Sequence, residues 1–344
     1  MKLGITGLPG SGKTTVFEAL TGNISDSGDK RENRIGTISV PDTRVDVLSG
    51  MYNPKKTACA RVEYFLPGMS DQGKEKTDQS LWTPVRDCDA LIHVVRNFGG
   101  YGFEDPVAYK DFSALDQELV FADLVVVEKR LERLELDKKR GKNIEQEELS
   151  LLKECLTHLE KEIPLRKFPD IAFSPHLKGY AFVSAKPMLV LFNNTDDDNK
   201  LPDPPAGEGF AENSMVIRGK LEHELAQMSE EEAEDFLTEF SIDASATDRV
   251  IESSYDLLGL ISFFTVGEDE VRAWTIKRNT LAPDAAEVIH SDMKKGFIRA
   301  EVVSYDDLME AGTYNEAKKK GKVRLEGKTY EVLNGDIIQV RFNV

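Results

Sequence analysis

Short apolar runs alternate with amphipathic stretches over the first two hundred or so residues. These runs predict five strands, at Leu3–Thr6, Gly36–Val40, Ala60–Leu66, Ala90–Val95 and Met188–Phe192. The last two runs are apolar almost throughout, which is typical of strands covered on both faces of a sheet. Because the strands alternate with helices, the pattern predicts an α/β domain with a mostly parallel sheet.

Two amphipathic helices interrupt this alternation before the fifth predicted strand. Apolar residues recur near helical spacing on both sides of a glycine-containing turn at 138–143, at Leu115, Leu119, Ala122, Val126, Leu134, Leu149, Leu152, Leu156 and Leu159. The pattern predicts an antiparallel helical hairpin over about residues 114–165, inserted into the sheet domain. Its polar outer face fits either a partner-binding surface or a solvated coiled coil.

The pattern changes after Leu260. Four short strands and one helix are predicted there: the strands Val271–Ile276, Phe297–Val303, Lys322–Leu325 and Ile337–Phe342, and the helix Ala282–Ile289. They predict a small α+β module of ordinary domain size. The predicted domains are residues 1–264 and 265–344.

Two polar segments precede this module. Residues 196–214 are rich in Asp, Pro and Gly and predict a surface loop. Ser229 and Glu232 have the spacing of a capping box, in which each side chain bonds to the other residue's backbone N–H at the start of a helix. This explains the acidic run at 230–232 structurally, so no catalytic role is assigned to it.

Acidic residues outnumber basic ones by 61 to 44, which gives a formal net charge of −17. This excess excludes a protein that coats nucleic acid with its whole surface. Residues 266–344 are nearly balanced, with 14 acidic and 13 basic residues, and contain a lysine cluster at Lys318, Lys319, Lys320 and Lys322. The cluster predicts either a contact with phosphate backbones or a solvated charged loop.

Cys59, Cys88 and Cys155 are widely separated, which is typical of a reducing compartment and excludes a disulfide framework or a cysteine-rich zinc site. The five histidines also lack metal-ligand spacing. No apolar run approaches the ~18 residues of a membrane span, and no signal peptide precedes the first strand. We therefore expect a cytoplasmic protein with neither membrane nor DNA as a partner.

The segment Gly7-Leu8-Pro9-Gly10-Ser11-Gly12-Lys13-Thr14 matches the phosphate-binding P-loop at every fixed position, between a predicted strand and a predicted helix. Glycines let successive backbone N–H groups turn towards a β-phosphate, and the following helix directs its positive end at the anion. We expect Lys13 to bridge the β- and γ-phosphates as the catalytic cation, and the Thr14 hydroxyl to coordinate Mg²⁺. The predicted nucleotide-binding residues of the loop are Gly7, Pro9, Gly10, Ser11, Gly12, Lys13, Thr14 and Thr15.

With the P-loop placed, nearly the whole chain resembles the YchF family of Obg-related P-loop ATPases. The likeness is strongest in residues 263–276, 294–302 and 341–344, and recurs at 89–96 and at Lys186-Pro187. It implies a P-loop NTPase G domain with the inserted hairpin, followed by a ubiquitin-like TGS domain with a β-grasp fold. It also implies binding of ATP, sometimes GTP, with Mg²⁺, slow hydrolysis, and a ribosome or RNA partner for the C-terminal domain.

The family recognises the base through Asn-x-x-Glu after a buried strand, and Asn193 and Asp196 occupy the two fixed positions. Guanine-specific GTPases use Asp at the second position, because a carboxylate accepts from both guanine N1–H and N2–H. The Lys that those GTPases carry beside the Asn is missing. The choice between ATP and GTP therefore stays open, as does the alternative that residues 193–198 are only an acidic turn.

Two departures from the family pattern concern Mg²⁺. Phe65 takes the place of the Asp in the Asp-x-x-Gly motif and cannot coordinate a metal. Residues 24–34 contain Ser25 and Ser27 but no switch Thr. Losing one electrostatic stabiliser typically costs ~10²–10³ in rate, although Asp71 or Asp78 could substitute for the missing carboxylate.

Two further departures lie beside the phosphates. Gly10 replaces the P-loop Asn that helps to bind a monovalent cation in related proteins, and Met69 stands where other GTPases have a water-orienting Gln. A hydrophobic residue at that position is usual for the family.

Three functions are compatible with these residues. The first is a slow P-loop ATPase or GTPase that regulates translation on the ribosome. The second is a hydrolysis-deficient module that uses nucleotide binding to order its domains. The third is a small-molecule kinase, whose P-loops resemble residues 7–15, although the chain has no Arg-rich lid.

Overall fold

The computed structural model describes residues 1–24, 32–68, 79–100, 105–206, 213–239 and 245–343. The chain forms two compact units, one of Met1–Thr37 with Glu63–Arg249 and one of Ile38–Val62 with Val250–Val344. The second unit therefore takes in residues 38–62 and 250–264, which the sequence pattern assigns to the domain of residues 1–264.

The strands of the described residues form two sheets. They are β1 (Lys2–Thr6), β2 (Arg34–Ser39), β3 (Lys56–Ala58), β4 (Arg61–Leu66), β5 (Ala90–Asn97), β6 (Met188–Asn194), β7 (Ser214–Ile217), β8 (Leu260–Thr265), β9 (Glu270–Lys277), β10 (Phe297–Ser304), β11 (Arg324–Glu326) and β12 (Asp336–Phe342).

Helices connect most of these strands. They are α1 (Lys13–Thr21), α2 (Thr43–Tyr52), α3 (Gln79–Arg86), α4 (Ala108–Lys139), α5 (Gln146–Leu159), α6 (Pro169–Ala172), α7 (Gly219–Leu225), α8 (Glu230–Glu239), α9 (Ala246–Leu257), α10 (Ala282–Ile289), α11 (Ser291–Lys295), α12 (Tyr305–Ala311) and α13 (Tyr314–Lys319), with short 3-10 helices at Leu165–Lys167 and Lys178–Tyr180. No helix among the described residues is both long enough and apolar enough to cross a membrane.

The first sheet has the order β2-β4-β1-β5-β6-β7. Strand β1 is parallel to β4 and β5, β5 to β6, and β6 to β7. The five strands predicted from the apolar runs are all present here. Strand β7 was missed, because it spans only four residues and follows a segment rich in Asp, Pro and Gly. The parallel arrangement brings the ends of β1, β4, β5 and β6 to one edge of the sheet.

Helices α4 and α5 follow β5 and pack against each other. Their facing residues include Val127 and Leu134 on α4 and Leu152 on α5, which share one buried cluster. Arg130 of α4 also donates two hydrogen bonds of 3.0 Å to the carboxylate of Glu148 on α5. The connection turns through Gly141, whose φ is 74°.

The second sheet has the order β11-β10-β12-β8-β9-β3. Strands β8 and β9 are antiparallel, as are β10 and β12, whereas β12 is parallel to β8 and β3 to β9. Helix α10 has the predicted bounds Ala282–Ile289 and buries its alanines against this sheet. The three-residue strand β3 was not predicted, because its residues belong to the sheet only through pairing with β9, more than 200 residues away in sequence.

The predicted capping box is confirmed at the start of α8. The backbone N–H of Ser229 donates to the Glu232 carboxylate at 2.9 Å, and the Glu232 N–H donates to the Ser229 hydroxyl at 3.3 Å. These bonds satisfy two donors that the first helical turn leaves without intrahelical partners.

Candidate nucleotide-binding site

Three glycines of the loop between β1 and α1 have a positive φ, Gly7, Gly10 and Gly12, and at two of them an added Cβ would also clash with a neighbouring strand. Gly7 has a φ of 151°, and an added Cβ would lie 2.4 Å from the carbonyl oxygen of Val94. Gly12 has a φ of 90°, and an added Cβ would lie 2.3 Å from Nδ2 of Asn193. A larger residue at either position would displace the loop from β5 or β6. The glycine pattern therefore sets the path of the chain at the end of the sheet.

Helix α1 presents free backbone donors to this loop. Its first residue is Lys13, and the N–H of Val16 is the first to donate within the helix, to Gly12 at 2.9 Å. The N–H groups of residues 13–15 thus precede the first intrahelical bond, and the first turn carries no acidic residue. Thr14 and Thr15 are half-buried, whereas Pro9 and Gly10 are exposed. Such a helix start favours an anion.

The Lys13 ammonium lies over the loop. Its Nζ donates to the carbonyl oxygens of Gly7 at 2.7 Å and Leu8 at 2.8 Å. Burial lowers the pKa of Lys13 to about 8, since the surroundings solvate the charged form less well than water does. A polyphosphate would be a better acceptor than two carbonyl groups, because hydrogen bonds between ionised partners are stronger.

Asn193 at the end of β6 joins the P-loop to the start of α7. Its Nδ2 donates to the carbonyl oxygen of Ser11 at 3.0 Å, and its Oδ1 accepts from the N–H of Gly219 at 2.9 Å. The side chain is 4% exposed. Asn193 is predicted from the sequence to belong to the site, whereas Gly219 is not. The only sequence signal for Gly219 is its position after a short apolar run and Arg218.

Asp196 lies three residues further on and has a different environment. It is exposed, and its carboxylate is 3.7 Å from Nζ of Lys220. The structure thus brings Asn193, Ser11 and Gly12 into contact, while Asp196 stands outside this hydrogen-bonded group.

Comparison with known proteins finds relatives that align over the full chain. A family model described as "YchF-GTPase_C: Protein of unknown function (DUF933)" matches residues 260–343. The ribosome-binding ATPase YchF of Bacillus subtilis (strain 168) is 39% identical over 368 residues, covering 99% of both chains. Its namesake in Haemophilus ducreyi (strain 35000HP / ATCC 700724) is 36% identical over 363 residues, covering 100% of this chain and 99% of that protein. This chain belongs to the YchF family.

A solved YchF structure gives the same result at the level of the fold. The Schizosaccharomyces pombe YchF GTPase matches with a TM-score of 0.82 and 28% identity, covering 99% of this chain and 97% of that one. The resemblance to YchF seen in the sequence is therefore confirmed. The α/β class is confirmed as well, and the match agrees with a P-loop NTPase fold.

Phe65, which takes the place of the Asp in the family's Asp-x-x-Gly motif, lies in the core of this YchF chain. Its ring is 4% exposed and belongs to an apolar cluster with Val85, Cys88 and Leu91. The ammonium of Lys2 lies 4.0 Å from the ring centroid. The side chain at the Asp-x-x-Gly position is therefore part of the core and offers nothing to a metal.

The residues that could hold Mg²⁺ are few. Within the described ranges, no group of three or more His, Cys, Asp or Glu side chains is arranged to hold a metal ion. The half-buried Thr14 hydroxyl stands at the start of α1. This set suits Mg²⁺, which typically takes one or two protein ligands and completes its shell with phosphate and water oxygens. The other residues considered from sequence lie outside the described residues: Ser25, Ser27, Met69, Asp71 and Asp78.

His93 is a buried residue next to the loop that sequence reasoning did not assign to the site. It is paired with Thr6 in the sheet, its ring stacks on Phe112 at 5.6 Å, and its side chain is fully buried. Neither ring nitrogen has a hydrogen-bond partner among the described residues. Burial, followed by the charges of Arg166 and Lys13, lowers the pKa of His93 to about 3, so the ring is neutral at pH 7.

The lysine cluster of the second unit is largely neutralised by neighbouring carboxylates. Three of its members form ion pairs: Lys318 with Glu301 (3.8 Å), Lys319 with Glu316 (2.7 Å) and Lys322 with Asp307 (2.8 Å). Of the two alternatives drawn from the sequence, these pairs favour a solvated charged surface over a strongly phosphate-binding one.

Proposed function

We propose that this YchF chain binds ATP or GTP in the P-loop and acts on the ribosome as a slow P-loop NTPase. The observation that carries the proposal is the loop itself. Glycines at 7 and 12 shape its backbone, the free N–H groups of α1 follow it, and the Lys13 ammonium lies above it. A glycine-rich loop, free N–H groups at a helix start and a lysine ammonium are the groups with which P-loops bind a triphosphate.

Each residue of the site then has a role. The free backbone N–H groups of residues 13–15 bind the β-phosphate, and Lys13 neutralises charge that develops between the β- and γ-phosphates. The Thr14 hydroxyl holds Mg²⁺, which would supply further positive charge at the γ-phosphate. Asn193 keeps the loop in position through Ser11, so it is a positioning residue.

Asp196 is proposed to choose the base. Both ends of the Asn193 carboxamide are already bonded to protein backbone. The exposed Asp196 carboxylate, whose ion-pair distance to Lys220 is 3.7 Å, is then the proposed acceptor for the base on the same connection. A carboxylate suits guanine N1–H and N2–H. An Asp196→Ala variant should therefore lose affinity for GTP analogues about tenfold or more and keep its affinity for ATP analogues. The reverse selectivity would assign another residue to the base.

A second candidate function is a nucleotide-binding module that does not hydrolyse. The packing of Phe65 favours it, because the position that would bring a carboxylate to the metal is occupied by a core aromatic ring. Under this alternative, nucleotide binding alone orders the two units.

The ribosome is proposed as the partner because relatives that align over the full chain are named ribosome-binding ATPases. In the proposed domain division, a G domain over 1–264 carries the helical hairpin, and a TGS-like β-grasp domain over 265–344 makes the ribosome or RNA contact. The sheet order β11-β10-β12-β8-β9 supports a β-grasp fold that begins with β8 at Leu260, a few residues before the proposed boundary. A protein that acts on ribosomes would work in the cytoplasm.

The test is hydrolysis of ATP and GTP by the pure protein, alone and with ribosomes, compared with a Lys13→Ala variant. We expect slow turnover that ribosomes stimulate and that the variant lacks. Binding without turnover in both conditions would remove the enzyme function and leave the binding module. Ribosome-stimulated turnover that Lys13→Ala retains would contradict the proposed site.

A further inference from the structure

Strand β12 has an unpaired edge within the second unit. On one side it pairs with β10 from Ser304↔Asp336 to Phe297↔Phe342, with a register irregularity in β10 between Phe297 and Arg299. On the other side its registered partner is Phe264 of β8, opposite Ile337, and β8 ends at Thr265. The backbone of residues 339–342 therefore has no strand partner on that side among the described residues. Such a row of N–H and C=O groups is a template for another extended chain.

A cavity of about 460 Å³ opens beside this edge. Its lining is apolar and aromatic in large part, and includes Tyr52, Trp274, Ile289, Met293, Tyr314 and Ile337. Because successive residues of a strand point to opposite faces, Ile338 and Val340 lie on one face of the sheet and Ile337 and Gln339 on the other. All four residues line the cavity, so the apolar surface reaches both faces at the free edge.

The strand continues past the cavity with one apolar and one charged side chain. Phe342 lies on the same face as Val340 and is 42% exposed. Arg341 lies on the same face as Gln339, opposite Arg299 of β10, and its side chain is 56% exposed. This face therefore ends in two neighbouring cations.

The face of β12 that carries Arg341 has an excess of positive charge, and the acidic residue that lines the cavity, Glu270, is itself paired with Lys56 and Arg272. Glu301 is the carboxylate that Arg341 and Lys318 both contact, and it also accepts from the Tyr314 hydroxyl at 2.8 Å. One buried carboxylate thus stands against the cations Arg299, Arg341 and Lys318. An acidic group on a partner would complement this excess.

We propose that the free edge of β12 binds an extended segment of a partner protein, which adds to the sheet as a further strand. The segment places apolar side chains on both faces of the cavity and an acidic residue beside Arg341. A polypeptide is the occupant, because only a second backbone satisfies a row of strand donors and acceptors while its side chains alternate between two apolar faces. The proposal does not depend on nucleotide binding in the first unit.

The test uses the full chain and a library of short fluorescent peptides, in which a run of Val, Ile, Leu or Phe is followed or preceded by two Glu residues. Fluorescence anisotropy should find members that bind with Kd below about 100 µM. No binder below about 1 mM would overturn the proposal.

The best peptide is then N-methylated at alternate amides in two frames. Methylation of the amides that face β12 should weaken binding about tenfold or more, and methylation of the other frame should leave it unchanged. Equal effects of the two frames would overturn strand addition. This comparison uses wild-type protein and so does not depend on the folding of a variant.

Adjacent residues of α10 supply a matched pair of variants. Ile289 lines the cavity, whereas Val288 is 46% exposed outside it. Ile289→Lys should reduce peptide affinity at least about tenfold and Val288→Lys should not. Arg341→Glu should weaken the Glu-ended peptide and strengthen its Lys-ended counterpart. Unchanged affinity in Ile289→Lys, or a single-stranded oligouridine that binds with the same dependence on Ile289, would overturn the proposal.

Discussion

The P-loop and the end of β4 lie side by side on the same sheet, yet their side chains differ completely in character. Strand β1 leads into glycines, free helical N–H groups and the Lys13 ammonium. Its neighbour β4, in register with it at Gly4↔Phe65, ends in an aromatic ring packed into the core. The end of β1 has the groups that favour an anion, and the end of β4 has an apolar side chain packed in the core.

This difference teaches that binding and hydrolysis rest on separate residues. In the proposed function, backbone donors and one cation of the P-loop hold the triphosphate. Rapid hydrolysis also needs groups that position the metal and the γ-phosphate. The end of β4 carries a buried aromatic ring where the family pattern has such a group, so the proposed function predicts that nucleotide binding is kept and that hydrolysis is slow.

Phe65→Asp has the largest expected effect, and it tests whether the end of β4 serves only for packing. It would bury a carboxylate among Val85, Cys88 and Leu91 and leave a cavity, so we expect the free energy of unfolding to fall by about 3 kcal/mol or more. Urea unfolding measures this loss, with Phe65→Leu as a milder control. We expect no gain in hydrolysis. A large gain in turnover with unchanged stability would show that β4 is still a functional switch.

His93 lies on β5, which neighbours β1 on the side opposite β4, and it provides a test of burial beside the P-loop. Its pKa of about 3 in the folded state lies below the unfolded value, so protonation favours unfolding. Its contribution to stability is complete above about pH 6.5 and is lost as the pH falls towards 3, at up to about 1.4 kcal/mol per pH unit. Urea unfolding at pH 7 and pH 5 checks this.

A His93→Gln variant should show a shallower loss of stability over the same pH range, since the amide does not titrate. His176→Gln is the matched control, because His176 is partly exposed and is paired with Glu145. Identical pH slopes in wild type and His93→Gln would contradict the burial of a neutral ring beside the P-loop.

Asn193→Ala tests whether the loop depends on its support from β6. Two buried hydrogen bonds are lost, so we expect a stability loss of about 1–2 kcal/mol and roughly tenfold weaker triphosphate binding. Asn194→Ala removes hydrogen bonds to Asn97 and Lys200 instead. It should lower stability similarly and leave affinity unchanged. Equal affinity losses in both variants would indicate a general loss of structure.

The smallest effect concerns the pH dependence of binding through Lys13. With a pKa of about 8 in the free protein, Lys13 is protonated below that pH and binding needs no proton uptake. Above pH 8 binding must restore the proton, so affinity should fall by up to about tenfold per pH unit. Titrations between pH 7 and 9.5 measure this. Lys13→Arg should show no such fall, and an equal fall in that variant would assign the effect to another group.

The sequence predicts a P-loop from eight consecutive residues with fixed spacing, and these residues lie between β1 and α1 as that pattern requires. Their binding of a nucleotide stays a prediction. The sequence also predicts that Phe65 cannot bind a metal. The burial of the Phe65 ring could not be predicted from the sequence, because the cluster of Val85, Cys88 and Leu91 forms only when α3 and β5 pack against β4.

Contacts over long sequence separations account for the other omissions. The bond from Gly219 to Asn193 joins residues 26 apart, and the pairing of Lys56 with Glu270 joins two distant segments of one sheet. Neither pair has a local pattern that indicates its partner. The helix Ala282–Ile289, in contrast, was predicted with its exact bounds, because its signal is local periodicity and a proline in the first turn.

The most direct test of the central claim is calorimetric titration of the full chain with non-hydrolysable ATP and GTP analogues in the presence of Mg²⁺. Wild-type protein should bind at least one analogue, and Lys13→Ala should bind it about a hundredfold more weakly, because two phosphates lose a charged donor. Lys2→Ala, which removes a lysine from the far end of β1, should bind like wild type. If wild type and Lys13→Ala respond equally to every analogue, the P-loop is not the nucleotide site and the account is wrong.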